Sequence, residues 1–400
     1  MKRSPLLSIF LIVLVDIMGF TIILPLLPFY AEHFGATPVQ VGQIIAVYAF
    51  CQLVAGPILG QISDRVGRRP VLLLSQAGTF FGFLLLASAR SLPVIFLARV
   101  IDGITAGNLS VAQAYIADVT EPQNRAKSFA LIGISFGLGF LLGPAITSLF
   151  SHFDRQYPIY AAAFLSALSI AGTFFLLPEP PKHAALPEET KGFDWKVYVH
   201  AFKNPGLAPL LWQFLAFIFT FVFFMSGFPL FAERRFLFHG MPFGAKEVGY
   251  VYAYVGLLGI IIQGGLPGRL VKFWGEARLI QFGFASMCLG FLLLGWAGTI
   301  PFLLFSVSLS FLGSSLLRPS LTSLITQRAG HGRQGTAIGI TQSLMSISQI
   351  IAPLVGGFMI QHKLLSPWTW VACATSGIGF LFLKGDNDRS TGSHPRSCAA

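Results

Sequence analysis

Twelve apolar runs of about 20 residues leave this chain few folds to adopt. They fall near residues 5–30, 41–60, 71–90, 93–116, 127–150 and 157–177. After a polar interval six more fall near 207–231, 247–267, 279–297, 301–325, 336–360 and 368–384. A helix of about that length crosses the hydrocarbon core of a bilayer. Inside lipid every backbone N–H and C=O must be paired within the structure, so only helices and closed barrels can span it. The runs are about twice as long as a barrel strand, which leaves helices. Composition agrees, since 11% of the 400 residues are charged against roughly 25% in soluble domains. The expected fold class is an all-α polytopic membrane protein, with twelve spanning helices arranged six plus six.

The net charge of +11 does not point to nucleic acid, because Lys and Arg gather in loops that alternate to one side. By the positive-inside rule that side is cytoplasmic, and both termini lie there. The expected location is the inner (plasma) membrane. Lys2 and Arg3 precede an apolar run as in a signal peptide. That run reaches Tyr30, contains Asp16 and lacks a small-residue cleavage site, so it reads as the first helix. Cys51, Cys288, Cys373 and Cys398 share no metal-ligand spacing and read as free thiols, three of them in apolar runs. No phosphate-binding loop and no H-E-x-x-H motif occurs, so we expect no ATP-driven step, no metal and no cofactor. An intramembrane enzyme would need a catalytic pair within the helices. Only Asp16 and Asp102 come close, and Asp102 has a cation beside it.

The organisation expected is a first six-helix bundle over 1–177, a cytoplasmic linker over 178–206, a second bundle over 207–384 and a disordered tail over 385–400. The linker holds Pro178, Pro180, Pro181 and Pro187, then a mixed stretch over 193–202 that reads as a helix on the membrane surface. The halves are related. A shift of 208 residues lays Gly60-x6-Gly67 over Gly268-x6-Gly275. Pro28-Phe29-Tyr30-Ala31-Glu32 matches Pro229-Leu230-Phe231-Ala232-Glu233, and Gly143-Pro144 falls near Ala352-Pro353. In the second turn Lys272 stands where Asp64 does and Glu276 where Arg68 does. Repeats of this kind accompany alternating access about a midplane site.

The turn Gly60-Gln61-Ile62-Ser63-Asp64-Arg65-Val66-Gly67-Arg68-Arg69-Pro70 puts four charges and two glycines between two spans. A topogenic anchor would need neither the Asp nor the spaced glycines. The spelling G-x-x-x-D-R-x-G-R-R resembles the loop between helices 2 and 3 of the major facilitator superfamily. The resemblance implies a conformational latch built from Gly60, Asp64, Arg65, Gly67, Arg68 and Arg69, with Arg68 pairing to Asp118 of helix 4. It also implies that Asp64 faces the start of helix 11 at Gly335 and Thr336. A carboxylate there gains about 0.3–1 kcal/mol from the helix dipole.

Helix 1 places Asp16 about 15 Å from its cytoplasmic end, and helix 4 places Asp102 about 14 Å from its outer end, both near the bilayer centre. Arg99 and Asp102, three apart, share a helix face. Ionisable residues at that depth are costly and mark functional sites. Arg99 and Asp102 are read either as a structural ion pair or as part of a proton site. Asp16 has no Lys or Arg at helical spacing on its own helix and is the better proton carrier. The run Gly103-Ile104-Thr105-Ala106-Gly107-Asn108, continuing to Gln113 and Asp118, looks like helix 4 of the tetracycline-resistance branch of the superfamily, with Asn108 and Gln113 able to face a cavity. Gly133, Gly137, Gly139, Gly143 and Pro144 resemble the helix 5 signature of drug:proton antiporters.

Together the resemblances imply a proton-coupled exporter of small amphipathic organic compounds, working as a monomer by a rocker switch. A symporter or uniporter for a metabolite is the alternative. The chain departs from tetracycline pumps in having no acidic residue within the membrane part of helix 3 or helix 9. Arg318 in helix 10 either snorkels to the surface or contacts an anionic group. Phe217, Phe219, Phe221, Phe223 and Phe224 of helix 7 are expected to face lipid. Tyr250, Tyr252 and Tyr254 of helix 8 are cavity candidates.

Overall fold

A computed structural model of the chain describes residues 5–120, 125–179, 201–329 and 334–382. In chain order its helices are α1 (Pro5–His33), α2 (Pro38–Val66), α3 (Arg68–Ala87), α4 (Leu92–Ile104), α5 (Asn108–Val119), α6 (Arg125–Phe150) and α7 (Tyr157–Leu176). They continue with α8 (Ala208–Arg235), α9 (Ala245–Gln263), α10 (Leu266–Leu294), α11 (Ile300–Ala329), α12 (Gln334–Gln361) and α13 (Leu365–Leu381). A two-residue hairpin, β1 (Leu237–Phe238) with β2 (Met241–Pro242), links α8 to α9. Eleven stretches of the described chain are long and apolar enough to cross a membrane. The 17-residue α13 is the twelfth apolar helix. The linker stretch 193–202, apart from its last two residues, and the tail over 385–400 lie outside the described residues.

Local chemistry sets the helix ends. Thr37 and Gln40 form a capping box on α2, with Thr37 Oγ1 accepting from Gln40 N at 3.3 Å and Gln40 Oε1 accepting from Thr37 N at 2.8 Å. Gly67, between α2 and α3, has φ +119, and its repeat partner Gly275 kinks α10 at φ +75. Both conformations are open to glycine and strained for other residues. The repeat read from the sequence therefore has a backbone counterpart.

The chain divides into two compact units. One comprises Met1–Lys191, Phe223–Ile260 and Gln349–Leu365, the other Gly192–Val222, Ile261–Ser348 and Ser366–Ala400. Within the first, backbones approach closely across small residues, the usual device where lipid gives no hydrophobic drive between helices. Thr21 Oγ1 of α1 donates to Gly139 O of α6 at 2.8 Å, and Thr147 Oγ1 of α6 donates to Ile22 O of α1 at 2.7 Å. A Cβ at Gly143 would overlap Thr21, and one at Gly256 of α9 would lie 2.6 Å from Phe140 O of α6. Within the second unit, α10 and α11 meet in the same way, where a Cβ at Gly290 would lie 2.5 Å from Ser310 N.

Two expectations are corrected here. The fourth span, read as one run over 93–116, is broken into α4 and α5. The phenylalanines of α8 do not collectively face lipid: Phe217, Phe223 and Phe224 are buried, and Phe224 stacks on Phe228 at 4.8 Å. A helix apolar on all sides carries no face information in its sequence, and its neighbours decide what is covered. Of the tyrosines, Tyr250 is exposed, while Tyr252 is buried with its hydroxyl donating to Met225 O at 2.6 Å.

The seam between α1 and α6 gives a test. Overpacking a tight contact costs about 1–3 kcal/mol. Gly143→Leu should therefore cut the monodisperse protein recovered from membranes severalfold. Gly133→Leu, at a position with nothing within 4 Å of an added Cβ, should leave recovery near wild type. Equal recovery of the two would show that the seam is not tight.

Candidate functional site

The break in the fourth span is the starting point. Thr105 Oγ1 donates back to Ile101 O at 2.8 Å and to Asp102 O at 3.2 Å, a pattern that bends helices. Gly103 and Gly107 lower the helix propensity on either side. The backbone groups released at the break meet Ser75 of α3, whose Oγ accepts from Gly107 N at 2.9 Å and donates to Thr105 O. Non-helical backbone at membrane depth is tolerated where protein or a cavity covers it. Discontinuous helices are also where transporters build ligand sites. Asn108 opens α5 directly after the break, and its Oδ1 is buried with no hydrogen-bond partner.

Around this break five helix segments bring polar groups together. Arg99 Nη2 lies 3.0 Å from Asp102 Oδ2, with the two residues 3% and 4% exposed. The Arg99 guanidinium lies 5.5 Å from the Tyr48 ring centre and 5.8 Å from that of Phe83. This lends cation–π support to a desolvated charge. Asp102 also meets the Thr79 side chain of α3. Gly82 lets that helix approach, since a Cβ there would lie 3.0 Å from Asp102 Cβ. Asp16 of α1 meets Gln76 of α3 and Ser169 of α7, and Gln76 Nε2 donates to Ser169 Oγ at 2.9 Å. Gln52 Nε2 of α2 donates to the Tyr48 hydroxyl at 3.3 Å. Gln76 Oε1 and Arg99 Nε are buried without a hydrogen-bond partner, so the cluster retains capacity for a further polar group.

Asp16, Arg99 and Asp102 were visible in the sequence as ionisable residues at membrane depth. Tyr48, Gln76, Thr79 and Ser169 were not singled out. Each is a lone neutral polar residue in an apolar run, and only the packing of α1, α2, α3, α4 and α7 brings them together.

The charged turn is a second built element. Arg68 Nε donates to Asp118 Oδ2 at 2.7 Å, its Nη1 lies 2.5 Å from Asp64 Oδ1, and the same nitrogen donates to Ser63 Oγ at 2.6 Å. Glu179, which the sequence did not mark, accepts from Arg68 N at 2.7 Å and from Arg69 N at 3.1 Å. It caps an α3 start whose Ncap glycine offers no side chain. A Cβ at Gly67 would lie 2.7 Å from Glu179 Oε1, so the glycine makes room for the cap. In return Arg69 donates to Thr173 O at 3.3 Å and to Phe174 O, closing the end of α7. Arg65 is exposed, and the space around Gly60 is open.

The second half keeps the place of this network and changes its chemistry. Glu276, the counterpart of Arg68, accepts from Ser323 Oγ at 2.8 Å and Gln327 Nε2 at 3.2 Å near the end of α11. Of the remaining candidates, Gly139 and Gly143 press against α1, and Pro144 O lies where a Cβ at Gly249 of α9 would come within 2.8 Å. Gln113 is half-buried on α5. Arg318 belongs to the second unit, half-buried and engaged with neighbours.

The comparisons with known proteins agree with this architecture. The description "Major Facilitator Superfamily" matches residues 9–353 and 265–390. The tetracycline resistance protein, class B, of Escherichia coli is 31% identical over 380 residues, covering 90% of each chain. Multidrug resistance protein 2 of Bacillus subtilis (strain 168) is 25% identical, covering 94% of this chain and 93% of its own. The crystal structure of the human organic anion transporter MFSD10 (TETRAN) superposes with a TM-score of 0.70 at 24% identity, over 96% of this chain and 99% of that one. The chain belongs to the major facilitator superfamily. It is therefore a multi-pass membrane transporter rather than an enzyme.

The buried pair yields a prediction. Removing one partner of a buried ion pair strands the other at a cost of about 3–5 kcal/mol. Arg99→Ala and Asp102→Asn should each lower folded protein in the membrane. The double variant should recover folded protein without recovering transport. Transport in the double variant at the wild-type rate would leave the pair a purely structural one.

Proposed function

We propose that the protein is a proton-coupled exporter of small amphipathic organic compounds, cycling by alternating access of its two six-helix halves. The observation that carries this reading is Asp16, set against Gln76 and Ser169 with no cation at helical spacing on α1. A carboxyl group in low dielectric, hydrogen bonded to neutral partners, exchanges a proton more readily than one fixed by a salt bridge. Asp102 is fixed in that way by Arg99. Asp16 thus acts as the carrier, while Arg99 and Asp102 set the field around it. Asn108, Tyr48 and Gln113 are the polar side chains proposed for the substrate cavity on this side. Arg318 is a proposed contact for an anionic group of the substrate.

The relatives named for tetracycline and multidrug resistance support export as the direction. Tetracycline itself is not proposed as the substrate, because α3 and residues 279–294 of α10 carry no acidic residue. In this reading the Arg68–Asp118–Asp64 network on the cytoplasmic face is the latch. Its charges hold the first half in one arrangement and are released as the halves rock. The protein works as a monomer in the inner membrane with both termini cytoplasmic.

The test is transport into everted membrane vesicles with an amphipathic dye such as ethidium as probe. Wild-type protein should load the vesicles when their lumen is acid, and Asp16→Asn should lose at least tenfold of that loading at normal membrane insertion. Loading by Asp16→Asn at the wild-type rate would move the coupling to Asp102. Loading that ignores the pH gradient in the wild type would favour the metabolite carrier.

A further inference from the structure

One repeated sequence element takes no part in the site above. Pro28–Glu32 at the end of α1 and Pro229–Glu233 at the end of α8 are counterparts in the two halves. In the structure their glutamates come together on one arginine. Arg234 Nη2 lies 2.6 Å from Glu32 Oε1, and its Nη1 lies 2.9 Å from Glu233 Oε2. All three side chains are partly exposed, and the two carboxyl groups meet each other as well.

The clamp sits at the end of the helices opposite the charged turn, within the first compact unit. There segments of both sequence halves are tightly packed. A Cβ at Gly42 of α2 would overlap the Pro353 carbonyl of α12, and one at Gly357 of α12 would overlap that of Pro38. Gln361 Oε1 accepts from Val39 N at 3.3 Å. Ser148 Oγ of α6 donates to Lys246 O of α9 at 2.7 Å, next to Gly249. These seams are closely packed, so separating the halves here must also pull Glu32 away from Arg234 and Glu233.

We propose that Glu32, Glu233 and Arg234 form a second proton-binding site, which takes up one proton from the external solution as this face closes. With the halves apart, each glutamate is solvated and ionised. On closing, two carboxylates converge on one guanidinium, and like charges in contact disfavour double ionisation. One proton from solution then binds the carboxyl pair. The closed clamp holds one carboxylate, one carboxylic acid and one guanidinium, with no net charge. Opening reverses the step and returns the proton to the same side. Acid outside therefore favours the closed face. That is the sense an antiporter needs, because loading protons from outside should send the site toward the cytoplasm. The site deepens the proton-coupled reading and rests on it for the opening and closing of this face.

The charges acting directly on Glu233 are Glu32 and Arg234. Other titratable or charged groups at this end are His33 on α1, Arg90 after α3, His152, Asp154 and Arg155 after α6, Arg235 on α8 and His239 in the hairpin. Lys246 and Glu247 open α9, and His362 and Lys363 follow α12. The test must separate the clamp from these.

The experiment uses the full chain in lipid nanodiscs with Cys51, Cys288, Cys373 and Cys398 replaced by Ser. Spin labels are placed at the exposed positions Phe153→Cys and Met241→Cys, which belong to different sequence halves. Distances are measured by pulsed electron resonance between pH 5 and pH 9. The short-distance population should dominate at pH 5 and give way to a longer one as pH rises. Glu233→Gln and Glu32→Gln, which each remove one of the converging charges, should both hold the short distance across the range. The pair of variants guards against one failing to fold. A wild-type distribution that ignores pH, or one that lengthens on acidification, overturns the proposal. So does a wild-type pH response in either glutamine variant. The vesicle assay on the same protein is read separately. A pH-gated distance without gradient-driven loading would sink the export reading and leave the clamp standing, and the converse would sink the clamp alone.

Discussion

The requirement that polar groups be paired away from water governs what this chain does with each departure from an apolar helix. Lipid supplies no hydrogen bonds, so the break after Ile104 exists only because Ser75 takes up Gly107 N and Thr105 O. The same rule explains the threonines between α1 and α6, whose hydroxyls reach across to Gly139 O and Ile22 O. It also explains why the charges within the membrane part of the first half are gathered into one cluster. Arg99 and Asp102 neutralise one another, Tyr48 and Phe83 cover the guanidinium, and Asp16 is held by two neutral side chains. Three buried polar atoms without a hydrogen-bond partner, Asn108 Oδ1, Gln76 Oε1 and Arg99 Nε, lie in this neighbourhood, while others, such as Gln213 Oε1 and Ser320 Oγ, lie elsewhere. A cost retained beside these charges suits a site made to receive a polar guest.

The two sequence repeats have diverged by exchanging the chemistry of equivalent positions while keeping their backbone. Gly67 and Gly275 both adopt positive φ, and each is followed by a residue that reaches the end of the fourth helix of its own half. In the first half that residue is Arg68 on Asp118, in the second Glu276 on Ser323 and Gln327. An ion-paired network in the first half and a carboxylate held by neutral side chains in the second make the halves unequal in how they hold their turns. The Arg68 network is further stiffened by an exchange of caps, with Glu179 closing the start of α3 and Arg69 closing the end of α7. At the opposite end the repeats converge instead, both glutamates sharing Arg234.

Much of this was legible in the chain. The spans follow from run length, because the bilayer sets a fixed ruler. Asp16, Arg99 and Asp102 stand out because ionisable groups at that depth are rare. The pairing of Arg68 with Asp118 came from a family resemblance, and no spacing rule would have delivered it. What stayed hidden is tertiary. Glu179 lies 111 residues from the helix start it caps, and nothing local marks it as a partner. The break at Thr105–Gly107 lay hidden inside one apolar run over 93–116, and only Ser75 on a neighbouring helix, which takes up the released backbone groups, marks it. The burial of Phe217, Phe223 and Phe224 was unreadable because α8 is apolar on every face. The pairing of Glu32 with Glu233 was present as a repeat, but Arg234 gained meaning only once the two helix ends met.

The central claim is that Asp16 exchanges a proton for substrate. The most direct measurement is proton release by purified protein in weakly buffered nanodiscs, followed with a pH-indicating dye while an amphipathic ligand such as ethidium is added. The account predicts that ligand addition acidifies the wild-type sample in proportion to the protein present. It also predicts that Asp16→Asn binds the ligand without releasing protons. Equal acidification by the wild type and Asp16→Asn would contradict it.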